Sequence, residues 1–282
     1  MKKKIILVSV VLVVLITLIS IPKSTYQKWF GKTGTEEPTT GETLYQTVFV
    51  VDSNNKLVGL RVPVEEIEED QIRQKWNLLT SNMNSIPTGY SSPITPSTVL
   101  NEYSVEENKL ILNVSEEINK SSGRLAIESL AWTFCDNNIS EIVLKVDGHV
   151  ISSINDYNFK KISKSMGTNF TYETAYLFEA DYTTIVFYEN DLIKPVTYFY
   201  KDISEYDFMI SKVFAANDLE EVGYTYEALE GDFVINFDEG LTLSENAQKT
   251  LVETIKLNMD FDTLTVNGVA TTIYEQVLEE AN

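Results

Sequence analysis

The chain has one cysteine, Cys135, and one histidine, His149. A single cysteine excludes an intramolecular disulfide, and one histidine with no second histidine or cysteine near it leaves nothing from which to build a zinc site or a Cys–His nucleophile pair. Cys135 falls inside the apolar pattern Ala131-Trp132-Thr133-Phe134-Cys135, which reads as a buried small hydrophobe. Glycine and proline are few, 12 and 7, which argues against large-scale disorder. Basic residues number 22 against 42 acidic ones, a net charge of -20. Binding of phosphates needs a clustered basic surface that releases counterions, so nucleic acid is not expected as a partner. An acidic field attracts basic partners or divalent cations, although a solvated acidic surface is the plainer reading.

With 282 residues, 43% hydrophobic and 11% aromatic, the chain has enough apolar material for two modules of roughly 100 residues, each with its own core. Its clearest local signal is Lys2-Lys3-Lys4, then Ile5 to Ile21 without a charge, then Pro22-Lys23. Residues 1–23 read as an N-terminal transmembrane helix or a signal, with an uncleaved anchor favoured because Ser20, Pro22 and Ser24 make a poor cleavage site. No cysteine stands directly after the run, so lipoprotein acylation is not expected, and the leading lysines put the body outside the cytoplasm. Residues 24–43 are polar and aperiodic, a flexible linker whose Gly31-Lys32-Thr33 lacks the flanking strand and helix of a phosphate loop.

From residue 44 the pattern is that of folded α+β structure. Thr47 to Asp52 and Leu57 to Val64 read as a hairpin, and the acids Glu65 to Asp70 read as the opening of a helix with Ile72, Trp76, Leu79 and Met83 on one face. An irregular connection, Ile86 to Pro96, leads to two further strands. Leu110 to Gly148 then gives strand, helix, strand and an Asp147-Gly148 turn. That order returns at low identity in Phe233 to Gly268, where Asn267-Gly268 is the matching turn, and repeats decide the whole fold reading. A second hairpin, Thr184 to Tyr188 with Leu192 to Tyr200, precedes it, and Ile203, Tyr206, Ile210 and Val213 lie at helical spacing.

The hairpin, the amphipathic helix, the connection Gly89-Tyr90-Ser91-Ser92-Pro93-Ile94-Thr95-Pro96-Ser97-Thr98-Val99-Leu100, the strand Leu110 to Ser115 and the run from Ala131 to Gly148 together resemble the GerM-type (GerMN) sporulation and spore germination domain of Gram-positive bacteria. The likeness covers about residues 45 to 150 well and 182 to 274 loosely. Asn113 stands where the family usually has aspartate, and an apolar helix replaces the lipidated cysteine the family often carries. The resemblance implies a role in sporulation, germination or cell-envelope assembly. Domains of that family look like the ring-building modules of secretion-type assemblies, which implies self-association or docking onto an envelope complex through an open sheet edge or a helix face.

The expected architecture is thus α+β: two tandem modules, each a small mixed or antiparallel sheet of three to five strands packed against two helices, behind the N-terminal transmembrane helix. The divisions are 44–150 for the first GerM-like domain, 151–181 for a bridge and 182–282 for a second, divergent GerM-like domain. Glu116-Glu117 and Asp238-Glu239 recur at equivalent strand ends, where a solvated turn explains them better than paired carboxylate chemistry. No catalytic residue, cofactor or metal is expected. The candidate partner surface is Tyr90, Pro93 and Pro96 in the connection with Tyr198, Phe199 and Tyr200 in the second hairpin. The function expected is a non-catalytic, single-pass membrane protein working through protein–protein contacts. The alternative is a cell-wall glycan-binding protein or an envelope enzyme acting on peptidoglycan.

Overall fold

The computed structural model describes residues 44–272 apart from 82, 173–179, 190, 220–221, 238–242 and 268. The apolar run, the linker and Asp238-Glu239 lie outside the described residues. Among the described residues no helix is long and apolar enough to cross a membrane.

The first half opens with β1 (Leu44–Asp52) and β2 (Leu57–Val64), paired antiparallel. Their turn is held by the Asp52 carboxylate, which accepts from the amides of Asn54 and Lys56, with Asn55 at φ 55°. Helix α1 (Gln71–Thr80) follows. The acids expected to open it stand before it: Asp70 is its N-cap, accepting from the Arg73 amide at 2.9 Å, and the first turn holds no acid. The buried Gln74 side chain donates to Glu66 O and accepts from the Glu68 amide, which folds that segment against the helix instead of continuing it. Next come β3 (Tyr90–Ser91), β4 (Leu100–Glu106), β5 (Lys109–Val114), α2 (Arg124–Phe134), β6 (Glu141–Val146) and β7 (His149–Val150). Strands β5 and β6 are parallel, and parallel neighbours need a crossover, which α2 supplies.

Three short strands, β8 (Ser153–Ile154), β9 (Tyr157–Asn158) and β10 (Thr171–Tyr172), lie in the segment read as a bridge. The second half runs β11 (Asp181–Glu189), β12 (Leu192–Tyr200), α3 (Glu205–Ala215), β13 (Tyr224–Leu229), β14 (Asp232–Phe237), α4 (Glu245–Asn258), β15 (Thr263–Val266) and β16 (Val269–Thr272). Apart from β3 it repeats the first half element for element, with β14 and β15 parallel across α4. Asp147 and Asn267, at φ 48° and 47°, occupy matching turns in the left-handed region. Ile203, expected on the helix, precedes α3 and is 42% exposed.

The sheets divide differently from the expectation of one per module. A six-stranded sheet draws on both halves and the bridge in the order β10-β12-β2-β1-β3, with β11 on the other side of β12. Two four-stranded sheets, β4-β5-β6-β7 and β13-β14-β15-β16, belong to one half each. The halves join where β12 meets β2 antiparallel, Leu192 opposite Leu60 and Ile193 opposite Gly59. Gly59 is glycine because its neighbours leave no room: a Cβ there would lie 2.8 Å from the Phe49 ring and 3.0 Å from Ile193 Cβ.

Beyond those two pairs Pro195 has no N–H to continue the ladder, and the bridge fills in. The Leu57 amide donates to Asn169 Oδ1 at 2.8 Å, and Asn169 Nδ2 donates to Leu57 O at 2.7 Å and to Pro195 O at 2.8 Å. Beside it, the Thr168 hydroxyl donates to Glu128 Oε2 on α2 at 2.7 Å, and Thr168 and Thr197 exchange backbone and side-chain bonds. Val186 of β11 packs into the first core, which also gathers Trp76, Leu79, Ile127 and Leu144. The second core centres on Phe233, Leu251 and Ile255.

An unpaired strand edge is a template for unwanted pairing, and the crossover helices bond to the outer backbone edges of β1 and β11 in the large sheet. On β1, the Phe49 amide donates to Thr133 Oγ1 and Ser129 Oγ donates to Phe49 O, both from α2. On β11, the amides of Thr184, Val186 and Tyr188 donate to Asn258, Thr254 and Thr250 of α4. The smaller sheets end at β4 and β7 and at β13 and β16.

Candidate functional site

Tyr198, Phe199 and Tyr200 end β12, and strand alternation sends them to opposite faces. Tyr198 meets Phe187 and Phe208 edge-on, at 6.4 and 5.7 Å, while Tyr200, 2% exposed, stacks on Phe208 at 4.2 Å. Both therefore pack toward α3 and anchor that helix. Phe199 faces the other way. The register sets it opposite Tyr172 on one side and Tyr182 on the other, so three aromatic residues form one row across β10, β12 and β11.

In that row Tyr172 and Phe199 stack at 4.9 Å and 11°, Tyr182 stands 6.0 Å from Phe199 at 42°, and Phe170 joins at 5.8 Å. The outer members stay open to solvent, Tyr172 54% and Tyr182 58% exposed. The Arg124 guanidinium lies over the Phe170 ring at 5.4 Å and closes that end. Tyr182 also borders an open depression of about 410 Å³ lined by Ala180, Asp181, Tyr182, Tyr200, Ile203, Ser204 and Glu205. Burial, reinforced by the charges of Glu205 and Asp181, pushes the Tyr200 phenol up to about 12. The arrangement offers ring stacking, a negative potential and hydrogen-bonding oxygens. It carries two carboxylates, yet it is a shallow opening onto solvent and not a deep pocket closed around a scissile bond.

The other candidates sit elsewhere. Tyr90 is half-buried in β3 against the first core, Pro93 is buried and Pro96 is exposed. Their connection is pinned to the start of α2: the Ser122 amide donates to Pro93 O and the Thr95 amide to Ser121 Oγ. Strands β1 and β2 separate β3 from β12, about 14 Å at normal strand spacing, so the structure does not unite the two sets of residues. Sequence reasoning missed Tyr172 and Tyr182, the exposed members of the row. Asp181-Tyr182 extends the predicted hairpin at its start, a signal that was present; Thr171-Tyr172 is a two-residue parallel strand that no periodicity reveals.

Cys135 is buried, and burial pushes its thiol up to about 11, away from reactivity. His149 is exposed on β7. Asn113 donates to Glu102 Oε1 and accepts from the Gly148 amide, which ties the β6–β7 turn to β5. Among the described residues no group of three or more histidine, cysteine or acidic side chains is placed to hold a metal ion.

Residues 47–152 match the family model described as Germane, sporulation and spore germination. No curated protein matches the chain in sequence. Among solved structures, the tandem GerMN domains of the sporulation protein GerM from Bacillus subtilis superpose with a TM-score of 0.67 at 17% identity, covering 79% of this chain and 90% of that one. The first GerMN domain of the same protein gives 0.40 at 17% identity, covering 44% of this chain and 99% of that one. Residues 47–152 thus belong to the Germane family of sporulation and spore germination domains, and the chain has the α+β fold of tandem GerMN domains, its second copy lying beyond the segment that the family model matches.

Proposed function

We propose that the chain acts without catalysis, as a membrane-anchored extracytoplasmic protein that enters sporulation, germination or other cell-envelope assemblies through protein–protein contacts. The Germane match over residues 47–152 carries this reading. In it, residues 1–23 are the anchor, 24–43 the tether, 44–150 and 182–282 the two copies, and 151–181 the segment that locks them together. The joint supports a scaffold role, since a shared sheet, Asn169 and a common apolar core hold the copies at one angle. Available contact surfaces are the edges of β4 and β13 and the aromatic row on β10, β12 and β11.

Light scattering on the full chain in a non-ionic detergent tests it, alone and with envelope extracts. Concentration-dependent assemblies larger than one chain per micelle, with no retention on purified peptidoglycan, are expected. A second reading, glycan binding or action on peptidoglycan, is favoured by the exposure of Tyr172 and Tyr182 beside two carboxylates. Retention on peptidoglycan by a chain that stays single at every concentration would replace the first reading with the second.

A further inference from the structure

The depression beside Tyr182 has an unusual lining. It holds two carboxylates, two tyrosines, an isoleucine, a serine and an alanine, and no basic side chain, on a chain whose net charge is already -20. Tyr200 contributes to it although only 2% exposed. Tyr182 is shared with the aromatic row, so the charged depression and the apolar row form one continuous surface. A ligand that suits this lining carries a positive end and an apolar stem.

We propose that this depression receives a lysine or arginine side chain from a basic segment of a partner protein, the charged end between Asp181 and Glu205 and the stem against Tyr182 and Ile203. The inference rests on the protein-contact reading above and names the chemistry of the partner. A protein segment fits better than an amino sugar because of how the row is built. A pyranose ring stacks on an open aromatic face, whereas Tyr172 and Phe199 each turn one face to the other at 11°, which leaves the row less open face than separate rings would have. Glu205 is the first residue of α3, where the positive end of the helix offsets part of its charge, so Asp181 supplies the larger share of the field.

The test is fluorescence anisotropy of fluorescein-labelled hexalysine against the full chain in a non-ionic detergent at fixed salt. The double variant D181N/E205Q is compared with E65Q/E69Q, which removes the same charge from exposed positions in the first half. A loss of about tenfold in D181N/E205Q, against less than about twofold in E65Q/E69Q, is expected, with Y182A weakening binding at unchanged net charge. Equal losses in the two double variants, or none in Y182A, overturn the proposal. So does glucosamine trimer binding that D181N/E205Q abolishes while hexalysine binding is unmoved. If those arms fail and light scattering still shows assemblies, the inference falls alone; if the assemblies are also missing, the protein-contact reading falls with it.

Discussion

Glu128 is 2% exposed on α2, with the Thr168 hydroxyl at 2.7 Å and Arg124 Nε at 3.4 Å as its partners. Burial raises its carboxyl above the ordinary value of 4.5, more than the Thr168 bond and the charges of Arg124 and Lys56 lower it. The folded chain therefore holds this proton more tightly than the unfolded chain. Between about pH 4.5 and the raised value, its contribution to stability falls as pH rises, and it is fully lost once Glu128 ionises. Glu128→Gln keeps an acceptor for Thr168 without the buried charge. Urea denaturation should show the variant gaining on the parent as pH rises through that window and at least as stable at neutral pH; a variant less stable at neutral pH would mean that the Arg124 attraction outweighs burial. Single residues were unevenly legible. Cys135 as a buried hydrophobe and Asp147 as a turn residue follow from local pattern, whereas Thr168, 40 residues from Glu128, and Leu57, 112 residues from Asn169, are partners that leave no local trace.

At the level of elements, α4 does two jobs with two stripes. Leu251 and Ile255 are buried in the second core, while Thr250, Thr254 and Asn258, spaced four apart, meet the backbone edge of β11. Thr254→Val keeps the shape but leaves the buried Val186 amide without an acceptor, at a cost of about 1–3 kcal/mol, whereas Thr254→Ser should cost less because the hydroxyl stays. Equal midpoints for the Val and Ser variants in urea would show that the edge bond does not matter. The four helices, the two hairpins and strands β4, β5, β6, β14 and β15 were legible because apolar spacing gives them, whereas the two-residue strands, β13 and β16 were not. The acids before α1 were misplaced, since a run of glutamates suits a helix start and only the Gln74 side chain, reaching back, keeps them outside it. Sheet membership was not legible, because pairing between β2 and β12 rests on two residue pairs and a glycine whose role is space.

For the molecule as a whole, the duplicated pattern was readable and the joint was not. Two copies of one scaffold meet through β2 and β12, and Asn169, at φ 49° and 7% exposed, stands in for the missing rungs. Asn169→Asp keeps the acceptor for the Leu57 amide but turns a carboxylate oxygen toward two carbonyls that had a donor. It should destabilise the protein by about 2–4 kcal/mol and speed hydrogen exchange at the joint before it reaches Leu251 or Leu130 in the cores. Uniform acceleration across both cores would mean that the copies unfold as one unit, with no weaker seam between them. The candidate site follows the same division: Tyr198 to Tyr200 were visible as a run, but the row that makes Phe199 part of a surface needed strands from two distant segments.

The joint also dictates an order of events during synthesis. The first half can close its own small sheet from residues within it, yet the β2 edge at Leu57 waits for Asn169, 112 residues later, and Leu60 and Gly59 wait for Leu192 and Ile193. Until that part of the chain emerges, the nascent protein carries a bare apolar strand edge of the kind that recruits a neighbouring chain. Truncation before residue 169 should thus yield a folding-competent but sticky fragment, and the second copy serves the first as its built-in edge cover.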